Sequence, residues 1–347
     1  MRPPSPVPGP SSVFESSPAV LNSELYFLRK ELDELKAKKK LGEKQIFSFD
    51  MICHSDEKVS QYTGLPSKHH FNILLQLILK YKIKYYAEWN VERISPEDQL
   101  LCTLVKLRLN LPLFVLSGMF GVVDSTISNI FLTYLNVIHK LLFKGMLKEI
   151  PCRELNRAAA PACFATFPNT RIVLDCTEIE VAIPSNLRTQ REVYSSYKHR
   201  HTFKVLIGIS TNAVITYVSD LYPGSTSDKV ITKECGVLSH MTAGDLILCD
   251  KGFLISDLCA PLGVNVNIPP FLTNPQFTKN EVLATKQIAR ARIHVERAIG
   301  RLKNFRILDF IAPNFREHAT KIVQVCACLV NLQYTLLKDN ETFMSEV

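Results

Sequence analysis

The chain has 347 residues, of which 46% are hydrophobic and 21% are charged. This is the composition of a globular protein, and it excludes a mainly disordered or fibrous chain. The formal charge of +8, from 41 Lys and Arg against 33 Asp and Glu, is compatible with a polyanionic partner without identifying one. The length predicts one large domain with a small accessory domain.

Ten cysteines are spread along the chain without a paired CxxC spacing, and no signal peptide is expected before them. We therefore expect reduced, intracellular thiols rather than disulfides or zinc-finger ligands. The longest apolar runs, 111–123 and 322–337, are too short or too interrupted to span a bilayer. No membrane association is expected.

The first segment, residues 1–47, combines a tail with a short helix. Pro and Ser dominate residues 1–19, which predicts disorder. Leucines at positions 21, 25, 28, 32 and 35 then alternate four and three residues, as in a heptad seam. The seam covers barely two heptads, so two interpretations stay open: a coiled coil that forms a homo-oligomer through residues 21–35, or one solvated amphipathic helix.

Residues 68–148 have helical periodicity and are predicted to form a helix-turn-helix domain. Ser95 and Pro96 have the residue types of a cap and a first helical turn. Helices predicted over 113–120 and 124–134 flank a turn at Gly121, and Asp124 is the predicted cap of the second helix.

Small polar residues begin that second predicted helix, and they are candidates for DNA contacts in a major groove. They are Ser125, Thr126, Ser128 and Asn129. A three-helix scaffold without DNA contacts explains the same pattern, and Arg and Lys are sparse on this helix. Both interpretations are open.

The pattern changes from helical to strand-like after the loop 151–168, which predicts a domain boundary there. Strands are predicted at 172–175, 178–183, 201–209, 214–221 and 245–250, with helices at 229–238, 255–262, 280–305 and 315–337. This order predicts an α/β fold over 170–338, in which helices flank a mixed sheet. It matches the order of an RNase-H-like core without being unique to that core.

Two aspartates follow apolar runs of this predicted sheet. Asp175 ends the run 172–174 and Asp250 ends the run 246–249, so both are predicted at strand ends. Where neighbouring strands are parallel, their carboxyl ends meet at one edge of the sheet. We therefore expect the two carboxylates to converge.

A third acid, Glu296, belongs to the long predicted helix near the C-terminus. It shares a helical face with Arg292, Gly300 and Lys303, at spacings of four, four and three residues. Carboxylate oxygens are the ligands that Mg²⁺ and Mn²⁺ prefer. Two such ions about 4 Å apart activate a water or a 3′-hydroxyl for attack on a phosphodiester.

Each acid also has an ordinary structural explanation. Asp250 has the position of a helix cap, Asp175 that of a turn residue, and Glu296 that of a salt-bridge partner of Arg292 at i, i+4. Spacing alone leaves these explanations open.

Six ordered motifs carry a resemblance to a known family. They are Val173-Leu-Asp-Cys-Thr-Glu178, Tyr194-Ser-Ser-Tyr-Lys198 with Thr202-Phe-Lys204, Pro223-Gly-Ser-Thr-Ser-Asp-Lys229, Asp250-Lys-Gly-Phe253, Ile268-Pro-Pro-Phe271 and Ala291-Arg-Ile-His-Val-Glu-Arg297. Over about residues 170–335 the chain resembles the DDE superfamily endonuclease domain of PIF/Harbinger-type transposases and their insertion-sequence relatives. The segment 95–145 resembles the helix-turn-helix that often precedes that domain.

The resemblance implies roles for particular residues. Asp175, Asp250 and Glu296 match the catalytic, metal-binding acids, and Asp228 is a further candidate ligand. The family's Tyr-x2-Arg-x3-Glu-x6-Lys signature is matched by Arg292, Glu296 and Lys303, whereas Ala289 stands in the place of its tyrosine. The implied cofactor is a divalent metal, Mg²⁺ or Mn²⁺.

The implied partner is double-stranded DNA, at transposon ends or at a target, and the implied location is the nucleus. Basic residues near the acids are the expected phosphate contacts. They are Arg188, Arg191, Lys198, Arg200, Lys204, Arg292, Arg297, Arg301 and Lys303. The spacing of a THAP zinc finger, which many animal relatives carry, is not found. Two alternatives stay open: a domesticated transposase that binds DNA or a partner protein without nuclease activity, and a nuclease without a role in transposition.

Overall fold

The structure is a computed structural model, and it describes residues 25–33, 46–147, 149–250, 252–268 and 279–333. Contacts divide the chain into two compact units, 1–47 and 48–347. In the first unit, residues 25–33 form helix α1, whose Leu25, Leu28 and Leu32 side chains are about half exposed. The predicted tail and the heptad positions 21 and 35 lie outside the described residues, so self-association stays a prediction.

The second unit begins with helices. They are α2 (Asp56–Thr63), α3 (Lys68–Leu79), α4 (Pro96–Leu109), α5 (Leu113–Phe120), α6 (Asp124–Ile138) with a π-helical continuation (His139–Phe143), α7 (Lys144–Met146) and α8 (Arg153–Ala158). The hydroxyl of Ser95 caps α4, with Pro96 in its first turn, as the sequence predicts. Gly121 ends α5 in the left-handed region at φ 65°, which glycine tolerates.

The start of α6 differs from the sequence-based expectation. Val123 occupies the position before the helix, no side chain caps it, and Asp124 lies inside the first turn. The Asp124 carboxylate can still stabilise the helix by its charge near the positive end of the helix dipole. The predicted cap is therefore wrong.

A seven-stranded mixed sheet follows, interleaved with further helices. The strands are β1 (Thr170–Glu180), β2 (Tyr194–Ser195), β3 (Arg200–Ile209), β4 (Ile215–Val218), β5 (Tyr222–Pro223), β6 (Leu246–Leu248) and β7 (Asn265–Asn267). The helices are α9 (Leu187–Val193), α10 (Asp228–Glu234), α11 (Ser256–Cys259), α12 (Lys279–Lys303) and α13 (Ala319–Asn331), with short 3₁₀ segments at Val237–His240, Ala260–Leu262 and Pro313–His318.

The strands run in the order β2-β3-β1-β6-β7, and β4 and β5 also pair with β3. β1 is antiparallel to β3 and parallel to β6, which is parallel to β7. The strands predicted at 172–175 and 178–183 are one strand, because the ladder to β3 continues without a break from Val173 to Glu180. The polar residues within β1 are thus part of the sheet rather than a turn.

Buried apolar side chains hold the sheet against its helices. Ile172, Leu174 and Ile247 of the sheet share one core with Ile231 of α10 and Cys259 of α11. α12 contacts β1 and β3, and α13 contacts β4. Removing these apolar surfaces from water is the main stabilising contribution.

The helical part and the sheet share contacts within the second unit. The ring of His139, just after α6, is 2.7 Å from the Gln324 Oε1 of α13, and the Gln324 amide donates to Asp220 Oδ1. The architecture is mixed α/β, as predicted. The proposed boundaries of separate domains at 68–148 and 170–338 stay predictions.

In the described part of the chain, a membrane span by one helix is excluded by length and composition. Among the described helices, Leu113–Phe120 and Asp124–Met146 meet the criterion when taken together, with a 98° bend between them.

Candidate active site

An acidic cavity of about 620 Å³ lies where β1, the segment after β6 and α12 meet. Its carboxylates are Asp175, Glu178, Asp228, Asp250 and Glu296. Lysines and an arginine line the same cavity: Lys198, Lys204, Arg292 and Lys303. The structure therefore brings together all three predicted catalytic acids and the reserve candidate Asp228.

Strand pairing explains why the first two acids converge. Val173 pairs with Leu248 in the parallel ladder of β1 and β6. Asp175 and Asp250 each lie two residues after this pair in the sequence, so the register brings them close together. Asp250 follows the end of β6, as predicted, but Asp175 lies within β1 and pairs with Ile207 of β3, because β1 continues past β6. The prediction of a strand end is wrong for Asp175.

Arg292 connects the second and third acids. Its Nη1 atom lies 3.0 Å from Asp250 Oδ1, and its Nη2 atom lies 3.7 Å from Glu296 Oε1. The Arg292 side chain is only 11% exposed, whereas the two acids are about half exposed. Glu296 is thus on the same side of the sheet as Asp250, and the i, i+4 pair with Arg292 accompanies this convergence.

The surroundings of Asp175 disfavour its charged form. Burial, with smaller contributions from the negative charges of Asp250 and Glu296, raises the pKa of the Asp175 carboxyl to about 6. Arg292 and a hydrogen bond from the backbone N–H of Cys176 to Asp175 Oδ1, 2.9 Å long, act in the opposite direction. A cation among these acids would favour the charged form.

Asp228 has its own partners. Lys204 Nζ lies 3.0 Å from Asp228 Oδ1 and donates to the Thr226 carbonyl at 3.2 Å. The Asp228 carboxylate also accepts a hydrogen bond from the thiol of Cys176. Burial and the negative charge of Asp228 raise the pKa of that thiol. In this state Lys204 neutralises Asp228, which favours a supporting role for that acid.

Two lysines bring positive charge to the cavity beside the acids. Lys198 is exposed, and its Nζ lies 4.6 Å from the ring centroid of Tyr197. Burial and the nearby charge of Lys198 lower the pKa of Lys303, whereas the charges of Asp175 and Glu178 act in the opposite direction. Like charges held together in this way suit a polyanion.

Several predicted phosphate contacts have acidic partners instead. Arg188 pairs with Glu192, and Arg200 pairs with Glu180 at 2.7 Å. Lys204 and Arg292 line the cavity but pair with Asp228 and Asp250. Arg191 and Arg297 are exposed. Among the described residues that line the acidic cavity, Lys198 and Lys303 are the cations without a salt bridge.

The predicted DNA contacts on α6 divide in the same way. Ser125 is exposed and Ser128 is partly exposed, but Thr126 and Asn129 are buried. Asn129 Oδ1 accepts from the backbone N–H of Ala87 at 2.9 Å, and its amide donates to the Trp89 carbonyl at 3.1 Å. Ser125 and Ser128 are therefore the more accessible of the four candidates, and DNA contact by this helix stays a prediction.

The donor chemistry of the cavity fits Mg²⁺ or Mn²⁺, since carboxylate oxygens predominate and one of them, on Asp175, is largely desolvated. Within the described ranges, no three His, Cys, Asp or Glu groups are already spaced to hold one ion. The Arg292 guanidinium lies between Asp250 and Glu296. Cation binding therefore requires these two side chains to exchange part of their contact with Arg292.

The lining residues that were not selected from the sequence include Cys176, Glu178 and Tyr197. Glu178 Oε2 accepts a hydrogen bond from the Thr202 hydroxyl at 2.7 Å and so ties β1 to β3. Glu178 and Tyr197 lie within the motifs that carry the family resemblance, so the sequence could have indicated them as site residues. The partners of Lys204 and Arg292 depend on three-dimensional packing.

Comparisons with known proteins find two family models that match parts of the chain. Residues 174–331 match the family model described as DDE superfamily endonuclease. Residues 92–144 match the model described as helix-turn-helix of DDE superfamily endonuclease. The order, helix-turn-helix and then endonuclease, is the predicted one. A search of curated proteins finds no match.

Proposed function

Because residues 174–331 of this chain belong to the DDE superfamily endonucleases, we propose that it is a transposase-type, metal-dependent DNA endonuclease. Asp175, Asp250 and Glu296 are its catalytic carboxylates, and the sheet is an RNase-H-like core. The observation that carries the proposal is the convergence of these three acids on one cavity. Its substrate is double-stranded DNA, which the preceding helix-turn-helix helps to bind, and its place of action is the nucleus.

In this proposal the three acids bind the divalent cation, with Asp228 as a neighbouring, Lys204-neutralised carboxylate. The bound cation supplies Lewis-acid activation of the attacking oxygen and stabilises the leaving oxygen. Arg292 orients Asp250 and Glu296 and offsets their mutual repulsion. Lys198 and Lys303 bind the phosphates beside the scissile bond.

The test is nicking of supercoiled plasmid DNA in Mn²⁺, with EDTA as the blank. We expect the wild type to nick, and Asp175→Asn, Asp250→Asn and Glu296→Gln each to lose about 100-fold or more, since loss of even an outer-shell partner costs 10–100-fold. Asp257→Asn is the matched control, because Asp257 is exposed on α11 and pairs with Lys229 outside the cavity.

If each of the three variants nicks DNA as fast as the wild type, the proposal is contradicted. Tight DNA binding by the wild type with no cleavage in Mn²⁺ or Mg²⁺ would support a domesticated, DNA-binding protein instead. A paired-end strand-transfer assay then distinguishes a transposase from a nuclease that only hydrolyses.

A further inference from the structure

A second cavity, of about 580 Å³, adjoins the acidic cavity and shares Lys303 with it. It lies at the junction of the helical part and the end of α12, and Arg108 of α4 and Arg306 complete its basic lining. Arg301 lines a smaller adjoining cavity together with Arg108. We call the lining by Arg108, Arg301, Lys303 and Arg306 the basic groove.

Arg108 is fixed in this groove by contacts that do not neutralise it. Its Nη1 donates to the carbonyl of Asn304 at 2.8 Å, and its guanidinium lies 5.6 Å from the ring centroid of Phe305. Asn110 reaches the carbonyl of Arg306 across the same junction at 3.4 Å. The cation of α4 is thus held beside those that follow α12.

Cations outnumber acids in the described lining of the second cavity. Among residues that the structure describes, no carboxylate forms a salt bridge with Arg108, Lys303 or Arg306. Asp309 lines the cavity, but as one acid against three cations. Burial and the neighbouring charge of Arg306 both lower the pKa of Arg108. Partly desolvated like charges without acidic partners are costly, and a bound anion removes that cost.

From this juxtaposition we propose that the basic groove binds the phosphate backbone of DNA next to the scissile phosphate. The inference rests on the proposed function, because the shared Lys303 makes the groove continuous with the acidic cavity. Arg presents a planar fork of donors that matches phosphate oxygens. The DNA strand that is cleaved therefore passes over the junction of the helical part and the sheet.

The test is fluorescence anisotropy of a labelled DNA duplex with the full chain in EDTA, over a series of salt concentrations. Arg306→Gln is the principal variant, since Arg306 is exposed. We expect its affinity to fall about three- to tenfold and the slope of log K against log salt to become shallower by about 1, as for loss of one phosphate contact. Arg108→Gln should show the same loss of affinity and the same shallower slope. Arg108→Lys keeps the positive charge and should therefore keep the wild-type slope.

Lys233→Gln is the control, because it removes one charge from an exposed position on α10 that lines neither cavity. Thermal melting of each variant identifies a loss of fold. If both Arg306→Gln and Arg108→Gln keep the wild-type slope, the proposal that the basic groove binds DNA is wrong. Nicking of DNA by the wild type would then still support the nuclease proposal. Shallower slopes without nicking by the wild type would support the groove and contradict the nuclease.

Discussion

The carboxyl of Asp175 is subject to two opposing effects. Burial and two neighbouring acids disfavour its charge, while Arg292 favours it, and the outcome is a pKa of about 6. A catalytic site often contains a group that the fold holds at such a cost, because the ligand relieves it. The sequence located Asp175 through its place after an apolar run, but its desolvation depends on β3 and α12 and was not predictable from that run.

Asp175→Asn should stabilise the metal-free protein at neutral pH. The folded-state pKa is raised above the ordinary 3.8, so the folded state keeps a proton that the unfolded state releases, and the contribution of Asp175 to stability falls as pH rises from about 4 to about 6. We expect the free energy of unfolding of the variant to exceed that of the wild type by on the order of 1 kcal/mol at pH 7.5 and to equal it near pH 4. Urea unfolding in EDTA measures this difference.

Asp257→Asn is the control for this prediction, since Asp257 is exposed and its hydrogen bond with Lys229 lowers its pKa, so that its loss should not produce that pH-dependent gain. A variant Asp175→Asn that equals the wild type in stability at pH 7.5 would mean that the carboxyl is not desolvated as described.

Among the elements, the bounds of α5 and α6 were predicted well, but the burial of Thr126 and Asn129 on α6 was not predicted. Helical periodicity and Gly121 placed both helices within a few residues of their observed bounds. The inward face of α6 depends on the loop at Ala87 and Trp89, some 40 residues earlier in the chain, to which Asn129 bonds. A pattern that is local in sequence carries no information about such a partner.

Asn129→Ala should therefore lower stability rather than act through a lost DNA contact. The substitution leaves the N–H of Ala87 and the carbonyl of Trp89 without their partner, which costs about 1–3 kcal/mol. Chemical denaturation measures the change, and Ser125→Ala, at an exposed position of the same helix, should stay within about 0.5 kcal/mol. If Asn129→Ala keeps wild-type stability and loses DNA affinity, the original DNA-contact interpretation is the right one.

In the whole molecule, the site depends on parts that are far apart in sequence. Parallel pairing of β1 with β6 aligns Asp175 with Asp250, and packing of α12 on β1 and β3 adds Glu296. The resemblance to the DDE superfamily predicted which acids meet and the order of the elements. It did not predict the clamp of Arg292 on Asp250, the pairing of Lys204 with Asp228, or Arg108 at the groove, because these contacts depend on how separate elements pack.

The account depends most on joint cation binding by the three acids, and titration of Mn²⁺ into the full chain, followed by electron paramagnetic resonance of the unbound ion, measures it directly. We predict that the wild type binds Mn²⁺ at pH 7.5 and that Asp175→Asn, Asp250→Asn and Glu296→Gln each weaken binding about tenfold or more, while Asp257→Asn does not. Wild-type affinity in all three variants would contradict the account.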